Sequence, residues 1–224
     1  MNDLSDPSCS DCQRRRFLRN AMLGSAALFT TSGAFAEALT KTPAQAEGPF
    51  YPDKLPLDTD NDLILINDKI TPAVGEITHF HGTVRDIKGN PVRNAVVEIW
   101  EADSEGNYIH TKSRGNGKLD GNFQGYGRFL TGMTGEYYFR TIKPVPYTRR
   151  TPHIHLAVSV GEKNLLTTQA YIKGYKQNED DFLLNKAPKD LQHLLMVDYQ
   201  PLPGSKTGEL SGKFDIVIGL TPED

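Results

Sequence analysis

Two tyrosines and a pair of histidines carry the chemistry this chain could do. Tyr108 stands upstream of the stretch Pro146-Tyr147-Thr148-Arg149-Arg150-Thr151-Pro152-His153-Ile154-His155. A phenol gives up its proton only near pH ~10, so it becomes a ligand only for a strong, hard Lewis acid that replaces the proton. Ferric iron does this, whereas zinc and magnesium rarely recruit tyrosine. Two phenolates and two imidazoles on one ion would cancel two of iron's three positive charges and favour the ferric state. A centre of that kind suits chemistry on an oxygen-rich, electron-rich substrate, not hydrolysis.

The elements that must position these groups are extended. Ile154 separates the histidines, and Leu156-Ala-Val-Ser-Val160 continues a β-branched run. Residues i and i+2 of a strand leave from the same face, so His153 and His155 would point together at one ion. Pro152 fits the start of that strand, where its missing donor does no harm. A bare His-x-His is common in strands whose histidines merely hydrogen-bond or face water, and the tyrosines are what shift the reading to a metal. His79 and His81 form a second such pair that could complete an all-histidine site with the first. His110 and His193 read as solvated loop or helix-end residues, Trp100 as core, and Tyr51 as a residue of an N-terminal arm bordering the pocket.

The chain has 224 residues, of which 38% are hydrophobic and 24% charged, a balance that fits one sizeable globular domain. The net charge of -3 and the lack of a basic run after the N-terminal region argue against nucleic-acid binding. Arg14-Arg15-Arg16-Phe17-Leu18-Arg19, an apolar stretch from Ala21 to Ala36 and the small-x-small Ala34-Phe35-Ala36 read together as a twin-arginine export signal. The apolar stretch is too short and too diluted for a membrane span, which needs ~20 residues. The expectation is therefore a signal over residues 1–36, no stable membrane insertion once it is removed, and a periplasmic or extracellular location. Its removal would leave 188 residues of net charge -4. Cys9 and Cys12 would leave with it, so the mature chain would be held by packing alone.

After the signal, residues 37–78 read as an extended, Pro-rich arm with an acidic turn at 58–62 and a short strand at 63–66. The domain proper would span residues 79–224. Strands are expected at 81–85, 96–100, 136–140, 152–160, 165–172 and 213–219. A tight turn is expected at 86–90, with Gly89 supplying positive φ. Residues 114–129 read as a long loop, and residues 180–193 hold the one plausible helical segment. Short strands divided by turn signals argue for a mainly β fold, a β-sandwich.

Along most of its length the sequence resembles the intradiol ring-cleavage dioxygenases, in particular protocatechuate 3,4-dioxygenase-like members. The resemblance runs through Glu47-Gly48-Pro49-Phe50-Tyr51, Gly82-x-Val84-x-Asp86-x-x-Gly89-x-Pro91-Val92 and Ala95-x-Val97-Glu98-Ile99-Trp100-x-Ala102-Asp103-x-x-Gly106-x-Tyr108. It continues in Gly135-x-Tyr137-x-Phe139-Arg140, Arg150-x-Pro152-His153-Ile154-His155 and Thr168-Gln169-x-Tyr171. It implies a β-sandwich with an extended arm and long active-site loops, holding one non-haem ferric ion per chain. It implies that Tyr108 stays on the metal, that Tyr147 leaves when substrate binds, and that His153 and His155 complete the ligands. Arg150 would face the substrate ring beside Gln169. The expected partners are a small catechol and dioxygen, the ring being cut between its hydroxyl-bearing carbons to a muconate-type diacid, and the chain is compatible with a homo-oligomer. One departure is Arg149, where the family often has an aromatic residue. The main rival is a non-catalytic transthyretin-like β-sandwich binding module, which shares the Gly82 to Val97 pattern but has no reason to keep the tyrosines and histidines. A cupin is a weaker rival, because the nearest glutamate after His155 is Glu162.

Overall fold

The computed structural model describes residues 38–67 and 70–219. The export signal and its cysteines lie outside the described residues. Among those described, no helix is long and apolar enough to cross a membrane.

Ten strands of the described residues form two five-stranded sheets. They are β1 (Ile77–Arg85), β2 (Ala95–Trp100), β3 (Tyr126–Leu130), β4 (Glu136–Ile142), β5 (His153–Val160), β6 (Lys163–Ile172), β7 (Met196–Val197), β8 (Tyr199–Pro201), β9 (Leu210–Lys213) and β10 (Ile216–Val217). In the first sheet β1 pairs antiparallel with β4, and β9 and then β10 run parallel to it. The second sheet has the order β3-β2-β5-β6-β7. The core lies between the sheets, where alternate residues of each strand meet: Phe80 and Val84 from β1, Phe139 from β4, Val97 and Ile99 from β2, and Ile154, Leu156 and Val158 from β5.

β5 is the strand on which function depends. Its residues from His153 to Val158 are all buried, so neither face is open to water. One face supplies Ile154, Leu156 and Val158 to the core. The other turns His153, His155 and Ala157 outward, beneath a cover of arm and loops. The arm is tied down by backbone bonds from Thr42 N to Val217 O (3.0 Å) and from Gln45 N to Thr167 O (2.9 Å).

Several expectations need correction. Residues 63–66 form no strand. Asp62 makes one isolated bridge to Arg140, while the Asp60 and Asp62 carboxylates accept the backbone N–H groups of Asp62 and Ile64. Such local side-chain bonds compete with a ladder. No α-helix forms over 180–193, only 3-10 turns at Leu184–Lys186 and Gln192–Leu195. There the Asp181 carboxylate takes the Leu183 and Leu184 N–H groups, and Pro188 cannot donate to continue a helix. The loop over 114–129 ends earlier than expected, at β3. The strand at 213–219 is broken at Phe214 and Asp215, so that β9 and β10 pair successively along β1. β1 begins at Ile77, ahead of the strand start expected at 81. The turn after β1 has Gly89 at φ 84°, as expected.

Candidate active site

Sheet register assembles the outer face of β5. Trp100 of β2 pairs with His155, His155 pairs with Gln169 of β6, and His153 pairs with Tyr171. These residues share one face, and the loops add to it. Tyr108 enters from the turn after β2, where the fully buried Asp103 accepts the backbone N–H groups of Glu105, Asn107 and Asp120. The Tyr108 N–H itself donates to Ser113 Oγ at 2.9 Å. Tyr147 and Arg150 flank a tight turn closed by Arg150 N to Tyr147 O at 2.8 Å. Thr148, inside that turn, has φ 51°. A β-branched residue seldom adopts that region, and strain of this kind concentrates at functional sites.

The four donors meet in one corner. The His153 and His155 rings lie 4.7 Å apart, Tyr147 lies 5.5 Å from His153, Tyr108 lies 5.8 Å from His155, and the two tyrosine rings are 5.1 Å apart. All four residues are buried. His153 Nδ1–H donates to Thr151 O at 2.6 Å, which leaves the Nε2 lone pair directed into the corner. The two Nε2 atoms are 3.1 Å apart. Nitrogen ligands ~2.0–2.1 Å from one metal in neighbouring positions are separated by about that distance. The Tyr108 hydroxyl is buried without a hydrogen-bond partner, as is His155 Nδ1.

Burial pushes both phenols up in pKa, and for Tyr108 the neighbouring Tyr147 adds to the effect. Burial pushes both imidazoles down, His153 to about 3. The corner therefore keeps its histidines neutral and ready as ligands, and its phenols protonated until a cation displaces their protons. Among the described residues no group of three or more His, Cys, Asp or Glu side chains could hold a metal, so a metal here depends on the phenols. An orphaned phenol beside two converging imidazole nitrogens fits a hard trivalent ion such as ferric iron.

Aromatic side chains wall the corner. Trp100 stacks on His155 at 5.0 Å and 11°. Phe50 of the arm stacks on Tyr108 at 5.3 Å, and Tyr51 packs edge-on against Trp100 at 5.0 Å while donating to Glu98. A Cβ on Gly48 would come within 3.3 Å of His155 Cε1. Arg150 is buried at the edge of the corner. Its Nη2 donates to Gln169 Oε1 at 2.6 Å and its Nε to Asp181 Oδ2 at 2.8 Å.

The structure thus brings Tyr108, Tyr147, Arg150, His153, His155 and Gln169 together. It places His79 and His81 in the other sheet, bonded to Tyr138, Glu209 and Ser211, so the two His-x-His pairs do not share a site. His110 is 5.8 Å from Phe50, and His193 bonds to the Asp190 carbonyl. Arg149 is exposed at the turn tip. Trp100 is core, as expected, but it also supports a histidine. Asp181 and Phe50 join the site without having stood out as candidates in the sequence. Phe50 sits in the Glu47 to Tyr51 motif, whereas nothing local marks Asp181.

The protein is a mainly β sandwich carrying a buried tyrosine–histidine corner. The sequence pattern of the Dioxygenase family matches residues 46–218, and the chain belongs to that family. Its relatives are intradiol ring-cleavage dioxygenases. The protocatechuate 3,4-dioxygenase beta chain of Burkholderia cepacia is 34% identical over 169 residues, covering 71% of each chain. Catechol 1,2-dioxygenase 1 of Acinetobacter lwoffii is 34% identical over 161 residues, 63% of this chain and 49% of that one. The chain thus spans about half the length of that relative. Among solved structures, the dioxygenase domain of a dioxygenase–carbohydrate-binding protein fusion from Streptomyces sp. SirexAA-E superposes with TM-score 0.62 at 27% identity, covering 81% of this chain and 100% of that domain. An intradiol ring-cleavage dioxygenase from Tetranychus urticae shares the fold with TM-score 0.63 at 19% identity.

Proposed function

We propose that this protein is a non-haem ferric dioxygenase that cleaves a catechol-type ring between its two hydroxyl-bearing carbons, giving a muconate-type diacid. The observation that carries the reading is the convergence of Tyr108, Tyr147, His153 and His155 in one buried corner beside Arg150. Those four side chains would hold the iron, one per chain. When bound, ferric iron supplies the electron withdrawal that opens a catecholate ring to dioxygen.

The chain's own residues supply the rest. A catechol must lose two protons to bind as a dianion. Tyr147, less deeply buried than Tyr108 at 8% against 3% exposure, is the side chain placed to leave and accept one of them, and the other would pass to solvent. Tyr108 is wedged between Phe50, Tyr147 and His155 and would stay in place. Arg150 offers a fixed positive charge where negative charge builds on the ring, an effect strongest in a site that excludes water. Gln169 orients that guanidinium through its Oε1, while its Nε2 donates to Ala46 O of the arm at 2.7 Å. Phe50, Trp100 and Tyr51 keep the corner dry. Catechol and protocatechuate are the first substrates to try, following the relatives' names, and Arg149 at the turn tip is the position where ring-substituent preference would differ. Export by the twin-arginine route, which carries folded proteins, would let the iron be installed before the chain leaves the cytoplasm.

The test is a visible absorption spectrum of the purified protein with iron quantified, before and after catechol or protocatechuate is added without air. The expected result is a broad tyrosinate-to-iron band that moves to longer wavelength with one of the catechols. A colourless protein at full iron occupancy would refute the double-phenolate centre. No band, with iron absent, would favour the binding-module alternative.

A further inference from the structure

Arg150 is held from several sides, and one of its partners is a carboxylate that plays no part in the chemistry proposed so far. Asp181 has 0% exposure although its neighbour Asp180 is exposed. Asp181 Oδ2 accepts Arg150 Nε at 2.8 Å and the Thr151 N–H at 3.0 Å. Its Oδ1 accepts the N–H groups of Leu183 and Leu184 at 3.0 and 2.9 Å. Both oxygens are thus occupied, and the carboxylate cannot turn without breaking one pair of bonds or the other. Arg150 Nη2 meets Gln169 Oε1 at 2.6 Å and Tyr171 OH at 3.3 Å, and the Phe182 ring lies 5.5 Å from its guanidinium carbon. With Nε and Nη2 both pinned, the planar guanidinium has a single orientation.

We propose that Asp181 is a positioning residue for ring cleavage: it fixes the plane of the Arg150 guanidinium and supplies the counter-charge that lets a cation stay buried beside a cationic metal centre. The inference rests on the catalytic reading of Arg150 and extends it to a residue 31 positions away in sequence whose side-chain bonds go to Arg150, Thr151, Leu183 and Leu184. The ionisation states agree with the geometry. Burial works to raise the Asp181 carboxyl, but the hydrogen bond from Arg150 and those from backbone N–H groups outweigh it and hold the group below its ordinary range. Burial likewise works to lower Arg150, and Asp181 together with Tyr171 and Tyr147 more than offsets it. Thr151, bonded to Asp181 through its N–H, also offers the carbonyl that orients His153, so the carboxylate steadies both ends of the Arg150–His153 segment.

The experiment compares Asp181→Asn and Asp181→Glu, each made in the wild-type protein and in an Arg150→Ala background. All proteins are full-length and iron-loaded, and are assayed with catechol and protocatechuate as probes. Misplacing a catalytic group by about 1 Å can slow a reaction ~100-fold. The expected result for Asp181→Asn is a kcat about 10- to 100-fold lower, with KM changed far less, iron retained, and Asp181→Glu recovering part of the loss. In the Arg150→Ala background the same substitutions should lower kcat by less than about twofold, because a residue acting through Arg150 has nothing left to position. If Asp181→Asn does not fold, Asp181→Glu is judged by the same comparison. A kcat within about twofold of wild type for the folded Asp181 variants overturns the inference. So does an equal loss in both backgrounds, which would mark Asp181 as a scaffold residue only. An Arg150→Ala protein as active as wild type overturns the catalytic reading of Arg150 and this inference with it, so the two failures look different.

Discussion

Gly106→Ala probes how the backbone positions the donors. Gly106 has φ 80°, and a Cβ there would sit 2.9 Å from Tyr147 Cβ. Two effects should add. The left-handed conformation itself costs an alanine about 1–2 kcal/mol. The contact is well inside the ~3.5–4.0 Å optimum for carbon pairs, so Tyr147 must move by roughly 0.5–1 Å, at a further cost of about 1–2 kcal/mol as a local overpacking. Gly161 provides the matched control, because it has φ 56° but no heavy atom within 4 Å of where an alanine methyl group would sit. Gly161→Ala should therefore show the backbone effect alone. At ~2–4 °C per kcal/mol for a domain of this size, we expect the melting temperature to fall by ~2–8 °C for Gly161→Ala and ~4–16 °C for Gly106→Ala. Activity should separate them more sharply. A shift of up to 1 Å at Tyr147 should lower kcat/KM up to ~100-fold and weaken the visible band, while Gly161→Ala keeps both. The assays are thermal melts, steady-state kinetics and absorption spectra of the three proteins side by side. Equal melting temperatures and equal kcat/KM for the two variants would refute the argument that Gly106 makes room for Tyr147.

Tyr147→Phe should slow turnover while leaving part of the iron bound, and complete loss of fold or metal would count against its role as the leaving ligand. Arg150→Ala should lower kcat/KM by ~100- to 1000-fold, the effect of ~2.7–4 kcal/mol typical for one preorganised donor, and unchanged kinetics would remove Arg150 from the mechanism. Glu101 is fully buried, accepts a hydrogen bond from the Thr141 hydroxyl and is pushed up to about 8 by burial. The native state therefore holds a proton that the unfolded chain releases near 4.5, so stability should fall as pH rises from about 4.5 to about 8. Glu101→Gln should raise the melting temperature at pH 8 and leave it nearly unchanged at pH 4, and pH-independent melting of the wild type would contradict this. Iron loading must displace the protons of both buried phenols, so its apparent affinity should climb with pH above neutrality, as metal-buffered titrations would show.

Much of the site is legible in the chain because it follows the period of a strand. His153 and His155 are two residues apart, and the same alternation that sends Ile154 and Leu156 into the core sends the histidines outward. Gln169 and Tyr171 show the same spacing on the adjacent strand, so register alone brings them opposite the histidines. What stays hidden depends on distance in sequence or on local competition. Asp181 meets Arg150 across a β-hairpin and a connecting segment, and nothing near it distinguishes it from Asp180. The Gly121 to Gly125 turn residues conceal β3, which follows them. The apolar run at 63–66 reads as a strand only while the aspartates that divert its backbone bonds are left out of account. Trp100 reads as core on size, which is true, but its stacking on His155 needs the sheet register.

The arm has a consequence for when the metal corner comes into being. Thr42 exchanges hydrogen bonds with Val217, 175 residues away, and the Thr168 hydroxyl donates to the Pro43 carbonyl across 125 residues. Synthesis delivers Gly48 and Phe50 first and the strands that anchor them last. Contacts of such long range close late and slowly in folding. Until β6 and β10 are in place, the bonds that tie residues 42–46 to the sheets are missing, the aromatic roof is held only from its Tyr51 end, and the four donors sit wetter, with proton affinities nearer their ordinary values. Metal capture in this chain should therefore coincide with arm docking: in refolding mixed rapidly with ferric iron, colour should develop with the slowest phase and not with the initial collapse.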